Sequence, residues 1–252
     1  MVTREEILAA CDDIVREFAP LQIILYGSYA YGIPTENSDV DLLVVMPVEK
    51  SEVRDREVEI KKLIPSRFNI DLLVRSPEYI AYRLSYNDWF LREVTEKGQV
   101  LYETDGFYII PHKKENTEMN PITLEWVEKA EGDYSVAEEN YQGQNPVYHV
   151  ICFLAQQCVE KYLKAWLQEN NIPIQRTHNL NDLLDLILPT IPAWRVWQVD
   201  LSTLTKHAVD SRYPEQIATA SDAENAMRIC REIREAVRIE LKLSNNGNHS
   251  RL

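Results

Sequence analysis

The 252 residues carry 40 acidic against 27 basic side chains, a formal charge of −13. Affinity for the phosphate backbone comes from clustered Lys and Arg, so this balance argues against a protein that coats nucleic acid, and an anionic ligand must be held locally. Apolar residues make up 45% of the chain and charged residues 27%, ordinary proportions for a globular protein large enough for two modest cores. No apolar run nears the roughly 20 residues of a membrane span, so a cytoplasmic protein without membrane contact is expected.

In chain order, Thr3-Arg4-Glu5-Glu6 has the form of a capping box and predicts a helix to about Phe18, which Pro20 ends. An apolar strand is expected over 21–26 and a second over 40–46, followed by an amphipathic helix over 51–64 and a third strand over 68–74. Ser76-Pro77 opens a further helix, Asn87 caps another that stops at Gly98, and 100–103 is short enough for an edge strand. Residues 111–120, PHKKENTEMN, lose periodicity as a linker does.

Beyond the linker no strand is expected. Asn120-Pro121 pairs a cap with proline at the first helical position, and Leu124, Val127, Ala130, Tyr134 and Ala137 recur at helical spacing. Four more helices are predicted over 146–169, 180–188, 193–209 and 221–243, the last opened by Ser221-Asp222-Ala223-Glu224, with a disordered tail over 244–252. The fold class is therefore α+β: a mixed-sheet domain over 1–110, the linker, and an all-helical bundle over 121–243. Cys11, Cys152, Cys158 and Cys230 sit in apolar helical patterns without metal-ligand spacing and are expected as buried thiols.

The chemistry concentrates in GSYAYGIPTENSDVDLLVV, 27–45. Gly27-Ser28 follows an apolar strand and precedes a short helix, where free amides point outward and a small residue lets a phosphate approach. After ten intervening residues Asp39 and Asp41 open the next strand two positions apart. A strand repeats every two residues, so both carboxylates share one face while Val40 and Leu42 point to the core. Adjacent like charges are costly unless a cation neutralises them, and hard oxygen ligands suit magnesium. Asp71 interrupts the third apolar strand; if that strand lies beside the second, the three acids form one cluster able to hold two metal ions.

The pattern G-S-x10-D-x-D, with Asp71 beyond it, resembles the minimal nucleotidyltransferases of the DNA polymerase beta superfamily over about residues 7–103. The resemblance implies a magnesium-dependent transfer of a nucleotidyl group from ATP or another NTP. Asp39, Asp41 and Asp71 would be metal ligands, Asp71 also the base toward an acceptor hydroxyl, and Gly27 and Ser28 the triphosphate contacts. The acceptor is left open between a protein hydroxyl, a small molecule and an RNA end.

The segments LEWVEKA (124–130), AQQCVEKYLKA (155–165), RTHNL (176–180) and RYP (212–214) are similar to HEPN domains over about 121–243. These helical bundles commonly dimerise and accompany minimal nucleotidyltransferases, which implies a homodimer through this domain. Many are ribonucleases with an R-x4-6-H motif. Here Arg176 stands only two residues before His178, and His207 precedes Arg212, a departure that counts against RNA cleavage; a fused toxin-antitoxin-like unit that binds or cleaves RNA is the secondary expectation, and a nucleotide-binding sensor without transfer the third. Lys161, Lys164 and Arg212, with Gln157, are expected either as solvated surface or as further contacts to the nucleotide. His112 and His149 have no visible partners in the sequence.

Overall fold

The computed structural model describes residues 1–36, 38–65, 68–109, 119–174, 177–210 and 217–243. They fall into two compact units, Met1–Glu115 and Asn116–Leu252. Among them no helix is long and apolar enough to cross a membrane.

The first unit opens with α1, Arg4–Phe18, which starts where the capping box predicts: Glu6 N donates to Thr3 Oγ1, and Thr3 N donates to Glu6 Oε2. Ile7, Ala10, Cys11 and Ile14 form its buried stripe, and Ala19 at φ 44° turns the chain before Pro20. Four strands then build one mixed sheet in the order β3-β2-β1-β4: β1 Gln22–Tyr26, β2 Val40–Val45, β3 Ile70–Arg75 and β4 Gln99–Glu103. The central β1 runs antiparallel to β2 and β4, while β2 and β3 are parallel and joined through α3, Val53–Leu63. A parallel pair needs such a crossover, whereas the antiparallel pairs do not.

Both faces of the sheet are covered. Val40, Leu42 and Val44 join Ile7, Cys11 and Ile14 of α1 and Ile60 of α3 in one core. Leu43 and Val45 point the other way and pack with Ile24, Tyr26, Ile80, Leu91 and Val94, the last three from α4, Pro77–Ser85, and α5, Trp89–Lys97. Ser76 caps α4 through Tyr79 N, as expected. The cap of α5 falls one residue later than expected: Asp88 accepts from Leu91 N, while Asn87 takes the left-handed φ of 56° that turns the chain into the helix. Asparagine tolerates that region better than most residues.

All the regular structure described in the second unit is helical: α6 Pro121–Gln142, α7 Tyr148–Glu169, α8 Leu180–Ile187, α9 Gln198–Asp210 and α10 Ala220–Glu240. Asn120 caps α6 through Ile122 N, with Pro121 first in the helix. Helix α7 is its axis, packed against α6, α8, α9 and α10, with Ile151, Ala155, Val159, Leu163 and Leu167 completely buried. Two expectations are corrected here. Residues 193–209 are not one helix, because a 3-10 segment, Pro192–Trp197, precedes α9; its buried Trp194 packs on Trp166 with ring centroids 6.0 Å apart. The capping box of α10 is Thr219 with Asp222, Thr219 N donating to Asp222 Oδ2 at 2.8 Å, so the helix begins ahead of Ser221. All four cysteines are free and buried. Burial pushes the Cys11 thiol up to about 12 and that of Cys152 up to about 11. Residues 111–118 of the expected linker and the tail from 244 lie outside the described residues.

Candidate functional site

β1 ends at Tyr26 and the chain turns at once through Gly27 into a single helical turn, α2, Ser28–Tyr31. Gly27 has φ 69° and ψ −150°, a combination open to glycine almost alone. Its carbonyl accepts from Ala30 N and Tyr31 N, both at 3.1 Å. A second reason for glycine is contact: a Cβ built at Gly27 would stand 2.1 Å from Asp41 Oδ2. The small residue expected for phosphate access thus also lets the backbone turn lie directly against an acid of the next strand.

The acids are ordered by strand pairing. In the parallel β2/β3 pair Asp41 and Asp71 are register partners, and Asp41 also faces Tyr26 across the antiparallel β1/β2 pair. Directly opposed residues project from the same face of a sheet; Asp41 and Asp71 therefore stand side by side, the first half-buried and the second exposed. Asp39 lies one step outside β2. Val40 N donates to Asn69 O at 2.8 Å, continuing the ladder, and Asn69 Nδ2 donates to Asp39 Oδ1.

The expected three-acid cluster is met only in part. Asp41 and Asp71 adjoin, but among the described residues no three His, Cys, Asp or Glu side chains converge closely enough to hold a metal ion. Three carboxylates crowded together repel, and Asp39 is instead hydrogen-bonded to the Asn69 amide. The donor set still suits a divalent cation in kind, being all hard oxygen with two carboxylates in register. Asn69 is the residue the sequence reading missed. Its signal was its place two residues before Asp71, which puts it on the same face of the strand. A pocket of about 250 Å³ lined by Met1, Val2, Glu6, Tyr29, Glu36, Ser38, Phe68 and Asn69 adjoins this site through Asn69, which also holds Asp39.

In the helical unit, the ammonium groups of Lys161 and Lys164 have partners within that unit. Lys161 Nζ donates to Asp133 and to Gln157 Oε1. Lys164 is not solvated surface: its side chain is 7% exposed, 2.8 Å from Glu160 Oε1 and over the ring of Trp126. Burial alone would raise the Glu160 carboxyl, but the hydrogen bond and charge of Lys164, with Gln156 and His178, outweigh it and hold it below the ordinary value of 4.5. His178 is exposed on its ring, with Nδ1 3.1 Å from Glu160 Oε1, just before the cap of α8. His207 Nε2 lies 3.8 Å from Asp222 Oδ1. Arg176 and Arg212 lie outside the described residues.

A mixed-sheet domain with a glycine turn and acids on adjoining strands, followed in the chain by a helical unit, defines the class. The first unit matches the nucleotidyltransferase domain family over residues 5–120, and the second matches the HEPN domain over residues 123–240. A proposed protein adenylyltransferase of Methanocaldococcus jannaschii is 40% identical over 81 residues, 32% of this chain and 77% of that one. The chain belongs to the nucleotidyltransferases and carries a HEPN domain after the transferase domain. Among solved structures, a Thermus thermophilus protein is 23% identical, covering 47% of this chain and 97% of its own with a TM-score of 0.42. A spectinomycin adenyltransferase of Enterococcus faecialis, solved with ATP and spectinomycin, is 12% identical, covering 94% and 100% with a TM-score of 0.48.

Proposed function

We propose that the protein transfers a nucleoside monophosphate, AMP by default, from a magnesium-bound NTP to an acceptor hydroxyl. The observation that carries the reading is the corner made by Gly27, Asp41 and Asp71: a glycine-only turn with one acid packed against it and a second acid in register with the first. In this reading the backbone of Gly27 and Ser28 would receive the triphosphate, and Asp41 and Asp71, joined by Asp39 on release from the Asn69 amide, would hold magnesium. The bound cation supplies charge neutralisation for the phosphates and the leaving pyrophosphate. The acceptor oxygen forms a bond to the α-phosphorus, the bond from that phosphorus to the bridging oxygen breaks, and pyrophosphate departs. Asp71, the more exposed of the register pair, takes the acceptor proton. Lys161 and Lys164, already held by Asp133 and Glu160, are left out of the nucleotide site.

A protein hydroxyl is the acceptor to test first, since the Methanocaldococcus jannaschii relative is named for protein adenylylation. Incubation with labelled ATP and magnesium, followed by mass spectrometry of the protein and of candidate protein, small-molecule and RNA acceptors, tests the reading. A mass increase of one AMP that Asp41→Asn abolishes is the expected result. No transfer from any NTP to any acceptor class would overturn it.

A further inference from the structure

Nucleotidyl transfer at the glycine corner leaves open where the base of the nucleotide goes, and the acid-bearing face of the sheet holds a group suited to it. After β3 the chain forms α4, nine residues or about 13 Å long, turns at Tyr86–Asp88, and enters α5. The start of α5 is fixed firmly. Asp88 is 4% exposed, accepts from Leu91 N at 2.9 Å and is held by Arg83 at 2.5 Å.

That mounting sets the first turn of α5 against Tyr26, the last residue of β1. The Phe90 ring stands 5.7 Å from the Tyr26 ring and at 83° to it. Tyr26 immediately precedes Gly27 and is the register partner of Asp41. Trp89 lies one aromatic step further, 6.1 Å from Phe90 at 79°. The two rings differ in setting: Phe90 packs against the core of this face, while Trp89 is half-buried and outside that core cluster. A line of rings thus runs from the buried Tyr26, next in the chain to Gly27, to a partly exposed indole at the capped start of α5.

We propose that Trp89, backed by Phe90, is the platform on which the nucleobase of the bound NTP stacks. The proposal rests on the reading of the Gly27 corner as the triphosphate site. Every base has a π-face, so stacking tolerates base identity, and the platform favours binding of NTPs as a class over selection of one base.

Equilibrium titration with a non-hydrolysable ATP analogue and, separately, with inorganic tripolyphosphate tests it. Trp89→Ala should weaken the ATP analogue about tenfold, the scale of one lost base–aromatic stack, and leave tripolyphosphate binding unchanged. Trp89→Phe, a control for folding, should stay within about threefold of the native protein. ATP-analogue affinity in Trp89→Ala within twofold of native overturns the proposal, as does equal loss of both ligands, which would mark Trp89 as structural. An unchanged ATP-analogue affinity with a raised KM for the acceptor overturns it in favour of an acceptor contact. Absence of binding of either ligand to the native protein would remove the triphosphate reading itself, a different failure from a Trp89 variant that binds normally.

Discussion

Asp41 and Asp71 are register partners on adjacent parallel strands, brought together although 29 residues of chain and a crossover helix separate them. Their environments differ, Asp41 being half-buried against the Gly27 turn and Asp71 exposed. The two should therefore fail differently on mutation. Asp41→Asn should abolish transfer and weaken magnesium-dependent nucleotide binding. Asp71→Asn should slow transfer by a factor on the order of 100 while changing nucleotide affinity much less, the pattern of a lost base. Single-turnover kinetics beside equilibrium nucleotide binding separates them; transfer by Asp71→Asn within twofold of native would remove it from the reaction.

Gly27 makes a prediction about stability as well as activity. An alanine there must adopt a backbone conformation that costs of order 1–3 kcal/mol, and its methyl would collide with the Asp41 carboxylate. Gly27→Ala should lower the thermal midpoint by several degrees and lose transfer. Gly106 also has a positive φ, 76°, but nothing within 4 Å of a built Cβ, so Gly106→Ala should show only the backbone cost and keep transfer. Equal loss of activity in both variants would show that the contact with Asp41 is not what makes Gly27 special.

Metal dependence is the coarsest division between the two kinds of chemistry expected from the sequence. Transfer at the carboxylate corner should vanish in EDTA and return with excess magnesium. RNA cleavage by the helical unit would need no divalent ion. Degradation of RNA that persists in EDTA and disappears in His207→Ala would establish a second activity in that unit.

What the sequence disclosed was mostly local. Caps at Thr3, Ser76 and Asn120 were legible because each is a polar side chain answering amides two or three residues on. At 87–88 and 219–221 two good capping residues compete, and only the path of the chain decides between them. Gly-Ser and Asp-x-Asp were legible as a pattern, but Asn69 beside Asp39 depends on the β2/β3 register, which no local rule gives. Lys164 is legible in the sequence only as an alternative between solvated surface and nucleotide contact. Glu160 and Lys164 at i, i+4 spacing have the look of a solvated pair, yet the packing of α6 over α7, with Trp126 on the ammonium, buries them.

That burial gives the last prediction. With side chains 6% and 7% exposed, Glu160 and Lys164 form a pair from which one partner cannot be removed cheaply; breaking such a pair costs about 3–5 kcal/mol. Lys164→Met should therefore strongly destabilise the helical unit at pH 7. The pH dependence follows from the direction of the Glu160 shift. Its carboxyl lies below 4.5 in the folded protein, so its contribution is present above 4.5 and is lost as pH falls through the folded value. In Lys164→Met the opposing burial is less well compensated, the folded value rises, and the folded state favours the protonated acid. The deficit of the variant should accordingly shrink between pH 7 and pH 4, and Glu160→Gln in the same chain should restore part of the stability at pH 7. Urea unfolding of the native, single and double variants at the two pH values measures this, and a deficit unchanged by pH and by the second substitution would show that lost packing on Trp126, rather than an unpaired Glu160 charge, is the cause.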